Sequence, residues 1–344
     1  MLRRMMVALA MALPVAGFAS PAHADGVTSL PLAGFSSLAV DGGHQHVFAS
    51  GGTADDAVAV LSLEGQVSTV LHDLPGAADM VLSGDGSTLY VALSEADAVA
   101  AIDTTSLRET ARYATGTTTC PTHLARVGDV LWFGYGCRTG EGELGSLTVT
   151  NGEPVVALGQ EGPYELEQPP VLAARPDAPD GPLITGEPGL SPGIVREYRL
   201  DGNTAALEHV TGAAGSTLAD VAVTPDGSRA LVAAGYPYHV TALSTTDLSQ
   251  VATYETGAFP NAVEISPDGA YVATGIDDSS HANDVAVFPS AGTTPTHGWD
   301  FGVDPSSPLK LVPQALAWGP GGRLYAVSEN VYGESPALHV LSTR

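Results

Sequence analysis

Short apolar runs interrupted by Asp-Gly turns recur along this chain at near-constant spacing, and that recurrence constrains its fold more than any other feature. Val81–Gly86, Val223–Gly227, Ile265–Gly269 and Trp318–Gly322 each place a Gly-containing turn before a second apolar run, and Val40–Gly43 is a shorter copy. Pro or Ser opens such a turn, Asp tolerates its second position, and Gly takes the positive φ that closes a hairpin. Gly43 to Gly86 is 43 residues, Gly227 to Gly269 is 42, Gly269 to Gly322 is 53, and Gly86 to Gly227 is 141, or three repeats of 47.

Asp79–Gly116 shows what one unit contains. Met80–Leu82, Leu89–Leu93, Ala98–Ile102 and Thr110–Tyr113 are apolar or β-branched runs of strand length, separated by Ser-Gly-Asp-Gly-Ser, Ser-Glu-Ala-Asp and Asp-Thr-Thr-Ser. Four strands in about forty residues make one small antiparallel sheet. Two less regular copies fill the long gap. One begins with Leu124–Val127 and Val130–Phe133, the other with Val171–Ala174, Leu183–Thr185 and Ile194–Leu200. The chain therefore reads as all-β, a seven-bladed β-propeller of four-stranded antiparallel blades. Leu338–Leu341 lacks a following strand, whereas Val27–Leu32 lacks a preceding one. The expectation is a ring closed by the N-terminal strand joining the C-terminal blade, which leaves no open sheet edge at the seam.

Arg3 and Arg4 precede an apolar run, Met5–Ala19, and Ala22-His23-Ala24 fits a small-x-small cleavage pattern. Residues 1–24 thus read as a secretory signal peptide and 25–344 as a single propeller domain. The chain holds 13 Lys+Arg against 38 Asp+Glu. Removing the signal takes two of the former and none of the latter, leaving a formal charge of −27. Such a field repels phosphate backbones and anionic lipid, so neither nucleic acid nor membrane insertion is expected. A monomer is expected. In the oxidising compartment a signal peptide implies, the two cysteines, Cys120 and Cys137, read as a disulfide worth roughly 3 kcal/mol on the loop-entropy model.

The Ser/Thr-Pro-Asp-Gly turns, Ala98–Asp103 and Tyr113–Gly116 resemble the WD40-like repeat of secreted bacterial YVTN/YncE-type seven-bladed propellers. Thr119–Thr122 with Trp132–Cys137, and Ala258–Val263, resemble a narrower group, the propeller heads of actinobacterial proteins that carry immunoglobulin-like repeats. No such repeats occur in these 344 residues. Members of that group mostly lack an assigned activity, so the resemblance implies a fold and an extracellular or cell-envelope location.

In this architecture the Asp-Gly turns share one face, and the second-to-third connections and inter-blade links share the other. Asp85, Asp226 and Asp268 are therefore turn formers. The opposite face collects the candidate binding residues Tyr135, Arg138, Tyr236, Tyr238, His239, Asp277, Asp278, Glu329 and Tyr332, with Asp79, His123, Asp220 and Asn261 in the links. Tyrosines on loops offer apolar area with a polar tip. Asp277-Asp278 with Asp284 is the nearest approach to a calcium site, but without EF-hand spacing, and no metal is assigned.

No Gly-x-Ser-x-Gly elbow, sialidase arginine cluster or repeated Trp docking motif appears, so no catalytic residue and no cofactor is assigned. The expected function is a binding or scaffold module for a protein or neutral glycan. The alternative is a hydrolase or lactonase of a neutral substrate, using His239 or His123 with a carboxylate at the channel mouth.

Overall fold

The computed structural model describes residues 24, 26–138, 140–163, 165–178, 181–277, 283–302 and 308–343. The putting of seven four-stranded antiparallel sheets around one axis follows the repeat. Strand β1 is Gly26–Ser29. Blade one is β2 Leu38–Asp41, β3 His46–Ser50, β4 Val58–Ser62 and β5 Val67–Leu71. Blade two is β6 Ala77–Leu82, β7 Thr88–Leu93, β8 Ala98–Asp103 and β9 Arg108–Ala114. Blade three is β10 Pro121–Val127, β11 Val130–Tyr135, β12 Glu143–Thr150 and β13 Glu153–Ala157. Blade four is β14 Val171–Ala174, β15 Leu183–Gly186, β16 Val195–Asp201 and β17 Thr204–Thr211. Blade five is β18 Ser216–Val223, β19 Arg229–Tyr236, β20 His239–Ser244 and β21 Gln250–Glu255. Blade six is β22 Pro260–Ile265, β23 Tyr271–Ile276, β24 Val285–Pro289 and β25 His297–Trp299. Blade seven is β26 Leu309–Trp318, β27 Arg323–Asn330 and β28 Ala337–Ser342, completed by β1.

The closure is the expected one: Gly26, Val27, Thr28 and Ser29 pair antiparallel with Val340, His339, Leu338 and Ala337. Among the described residues the helical content is one short 3-10 turn, Pro320–Gly322.

Burial differs between the inner and outer strands of a blade. The third strand of blade two, Ala98–Asp103, is buried from Ala98 to Ile102 because neighbouring blades cover both faces of the sheet, which gives an unbroken apolar run. Outermost β17 alternates exposed and half-buried along its whole length. The core therefore lies between blades. Phe48, Val58 and Val60 of blade one pack with Leu89, Val91 and Ala100 of blade two, for example. Close packing also fixes a glycine: a Cβ on Gly275 would stand 1.9 Å from Leu311 of the next blade.

The Asp-Gly turns are structural, as their chemistry predicts. Ser83 Oγ donates to Asp85 Oδ1 at 2.7 Å, the Ser87 N–H donates to the same oxygen at 3.0 Å, and Gly86 takes φ 72°. Thr224, Asp226 and Ser228 repeat the pattern. The hydroxyl of Ser83 in one turn and Thr224 in the other, followed by the Ser87 and Ser228 donors, holds both carboxyls down at about 2.

Candidate functional site

The loop-bearing face is built as the hairpin logic requires. Cys120 in the link into blade three is bonded to Cys137 in the β11–β12 connection, with the two Cα atoms 5.1 Å apart. That bond ties an inter-blade link to a second-to-third connection, so both belong to one face. The same coupling recurs at blade five, where Thr256 Oγ1 and the Gly257 N–H, both in the β21–β22 link, donate to the Tyr238 carbonyl at 3.0 and 3.2 Å.

Three aromatic rings crowd this junction of blades five and six. Tyr236 ends β19, Tyr238 precedes β20, and Phe259 precedes β22. Tyr236 and Tyr238 meet edge to face with centroids 5.6 Å apart, and Tyr238 and Phe259 do so at 5.4 Å. Their residues are 59%, 42% and 48% exposed. Rings that pack on one another while facing water form a preassembled apolar surface. Gly215 permits it, because a Cβ there would stand 2.3 Å from the Tyr236 carbonyl and its φ is 128°.

Two residues tied to this junction through the backbone carry carboxylates. Glu255, at the end of β21, pairs across the ladder with His239, and its Oε1 lies 3.9 Å from His239 Nδ1. On the other side, the Asp277 N–H donates to the Phe259 carbonyl at 2.9 Å. Lys310 Nζ lies 3.6 Å from Asp277 and 3.7 Å from Glu329, so this cation is shared between two acids. Burial raises the Glu329 carboxyl above its ordinary value, opposed by Lys310.

The remaining predicted residues distribute as follows. Tyr135 is 5% exposed, against the expectation of a loop tyrosine open to ligand. It is the last residue of β11, and its hydroxyl donates to Glu143 and accepts from the Gly159 N–H. Burial, reinforced by Glu143, pushes that phenol above its usual range. Arg138 is exposed beside the disulfide. Tyr332 is 84% exposed on the β27–β28 connection and makes no ring contact among the described residues. Asp278 lies outside the described residues. Asp284 is buried and accepts the Phe301 N–H at 2.5 Å, which gives it a structural role. Phe259 and Glu255 are not among the residues that the sequence marks as a site. The signal for Phe259 was its bulk in a link otherwise made of small and polar residues, Thr256-Gly257-Ala258.

The central channel is the second candidate. A cavity of about 450 Å³ is lined by Asp79, His123, Asp220, Glu264 and Gln314, among others. Sequence placed Asp79, His123 and Asp220 in the inter-blade links; they belong instead to the innermost strands β6, β10 and β18. Register shifts in those strands adjoin each of the three residues, and such bulges re-aim side chains. Asp79 accepts Ser37 Oγ at 2.6 Å, the Met80 N–H at 2.7 Å and the Leu124 N–H at 2.8 Å, so it ties blades one, two and three. Gln314 Nε2 donates to the Ala219 carbonyl at 3.0 Å, from blade seven to blade five.

Burial pushes Glu264 up to about 7. It raises Asp220 well above its ordinary value too, with repulsion from Glu264 and Asp79 adding to it. Burial lowers His123, against a weaker pull from Asp79. Among the described residues no hydrogen bond joins His123 to a carboxylate, and Asp79 already serves three donors. Nor does a hydrogen bond join His239 to a carboxylate among the described residues, its Nδ1 standing 3.9 Å from Glu255 Oε1. Ser328 Oγ and His339 Nε2 do meet at 2.7 Å, but both are buried in blade seven, with the imidazole stacked on Phe301.

Among the described residues, one group brings three metal-type ligand atoms together: Asp97, Cys120 and Cys137. The two sulfurs are bonded to each other, and Asp97 accepts the Cys120 N–H at 2.9 Å. No helix among the described residues is long and apolar enough to cross a membrane.

No family model matches the sequence, and no curated protein matches it. The fold has solved counterparts. A chain in a structure described as "Crystal Structure of Mitotic Checkpoint Complex" aligns over 100% of this chain and 98% of its own length, with a TM-score of 0.69 and 17% identity. At that identity the likeness carries the architecture alone: the chain is an all-β propeller of seven four-stranded blades.

Proposed function

We propose that this chain is an exported propeller that works as a protein-binding module, with its docking surface on the face that carries Tyr236, Tyr238 and Phe259. The observation that carries the reading is the exposed, mutually packed aromatic trio at the junction of blades five and six. Tyrosine and phenylalanine held by one another bring contact area at small conformational cost, and such rings are common binding anchors. A propeller supplies the rigid frame on which loops of this kind act. Export is supported by the leader-like segment 1–24 and by the Cys120–Cys137 bond, since disulfides persist in oxidising compartments. The resemblance of the repeats to YVTN/YncE-type propellers agrees with an extracellular or envelope setting. The similar solved structure is of a complex, which is compatible with protein binding by this fold.

The test is a pull-down from envelope extract with the mature protein and two variants. Tyr236→Ala/Tyr238→Ala/Phe259→Ala is expected to lose a partner protein that the native chain recovers, and Tyr332→Ala to retain it. Recovery of every partner by the triple variant would remove the proposed face. A partner released by neutral oligosaccharide would replace protein with glycan.

A further inference from the structure

We infer that the aromatic trio receives a cationic peptide segment, one that presents arginine or lysine to the rings of Tyr236, Tyr238 and Phe259 in the acidic surroundings to which Glu255 and Asp277 contribute. The inference rests on the protein-binding reading of this face and names the chemistry of its partner.

The argument is one of charge complementarity at a fixed place. Aromatic faces carry the negative side of the ring quadrupole, and a cation within about 6 Å of a ring centroid is attracted to it. Tyr238 touches both Tyr236 and Phe259, so the three rings offer several such faces close together. Glu255 follows Tyr254 at the end of the strand opposite His239, one residue beyond Tyr238. Its side chain is 68% exposed, and that of Asp277, attached by its N–H to the Phe259 carbonyl, is 43% exposed. Lys310 does not neutralise the site, because it is divided between Asp277 and Glu329. The chain as a whole carries −25.

Other occupants fit less well. A second copy of the chain brings the same negative field against itself, and phosphate-bearing partners are repelled. A purely apolar segment would use the rings and gain nothing from the acids of this junction. Arginine uses both, since its planar guanidinium stacks on rings and forks onto carboxylates, which makes it the better of the two cations.

The experiment is fluorescence anisotropy with the mature full-length protein and three labelled peptides of alternating residues, Arg-Gly, Ser-Gly and Glu-Gly, at about 0.15 M salt, where long-range attraction is screened. The native protein is expected to bind the Arg-Gly peptide and neither of the others. Tyr236→Leu/Tyr238→Leu/Phe259→Leu keeps the net charge and is expected to bind about tenfold more weakly, as is Glu255→Gln/Asp277→Asn. Tyr238→Leu alone, which removes the ring touching both others, serves if the triple variant fails to fold, and is expected to weaken binding severalfold. Equal binding by the native and leucine variants would reduce the effect to bulk charge and overturn the inference. So would native binding of the Ser-Gly peptide in preference to Arg-Gly. No binding of Arg-Gly, together with partner loss by the alanine variant in the pull-down, would leave the face standing and its cationic partner refuted.

Discussion

The Asp220 carboxylate accepts the backbone N–H of Val263 at 2.9 Å, fastening the innermost strand of blade five to that of blade six. Its other oxygen takes the Val221 N–H at 2.8 Å. Asp79 does the same between blades two and three through Leu124. Removing such an acceptor leaves inner-strand N–H groups without partners, at about 1–3 kcal/mol. Asp220→Ala is therefore expected to lower the thermal midpoint measurably, and Asp220→Asn, which keeps an oxygen in place, to cost less than half as much. Differential scanning calorimetry checks the order. Equal losses would assign the effect to charge and not to the tether.

Glu264 is expected to make stability fall as pH rises. Its folded value near 7 lies above the ordinary 4.5, so between those limits the native chain holds a proton that the unfolded chain has released. Stability from this group is complete below pH 4.5 and is lost as pH rises through 7, by roughly 3 kcal/mol. Asp220, also raised, acts in the same direction. His339 acts oppositely: burial lowers it to about 4, and its contribution is lost as pH falls from 6.5 towards that value. Glu264→Gln should raise the midpoint at pH 8 and leave it nearly unchanged at pH 4.5. Thermal scans across that interval decide the matter.

How much of this was legible beforehand varies from residue to residue. Ala98–Ile102 announced its strand because both sheet faces are covered, and Gly86, Gly227 and Gly269 announced their turns because positive φ demands glycine. Val27 betrayed the ring closure by being a strand without a neighbour. In sequence, Asp79 and Asp220 fall just before apolar runs, where an inter-blade link is expected. Only the bulged register shows that they sit within the inner strands, and a bulge leaves no mark in composition. Tyr135 was misjudged for a similar reason, since its partner Glu143 lies across the sheet. Phe259 was overlooked because its importance comes from Tyr238, which reaches it from another blade element.

Reducing the Cys120–Cys137 bond frees a loop closed by a sequence separation of 17 and is expected to cost about 3 kcal/mol. Cys120→Ser/Cys137→Ser should show that loss in chemical denaturation, and the native protein should match the double variant once treated with a dithiol reductant.

Strand β1 shields the edge of β28. Deleting residues up to Ser29 exposes the hydrogen-bonding groups of Ala337–Val340, and open strand edges pair with other chains. The truncated protein should elute from a sizing column as oligomers or aggregate, and should melt earlier than a chain lacking only residues 1–24. Adding the Gly26–Ser29 segment as a free peptide should partly reverse both effects.

Site-specific photocrosslinking tests the central claim most directly. A benzophenone side chain is placed at Tyr238, on the aromatic face, and separately at Thr246, exposed on the β20–β21 turn of the opposite face. Irradiation in envelope extract is expected to give discrete protein adducts from position 238 that the native protein competes away, and none from position 246. Equal adducts from both positions, or none from position 238, would contradict a docking face at the junction of blades five and six.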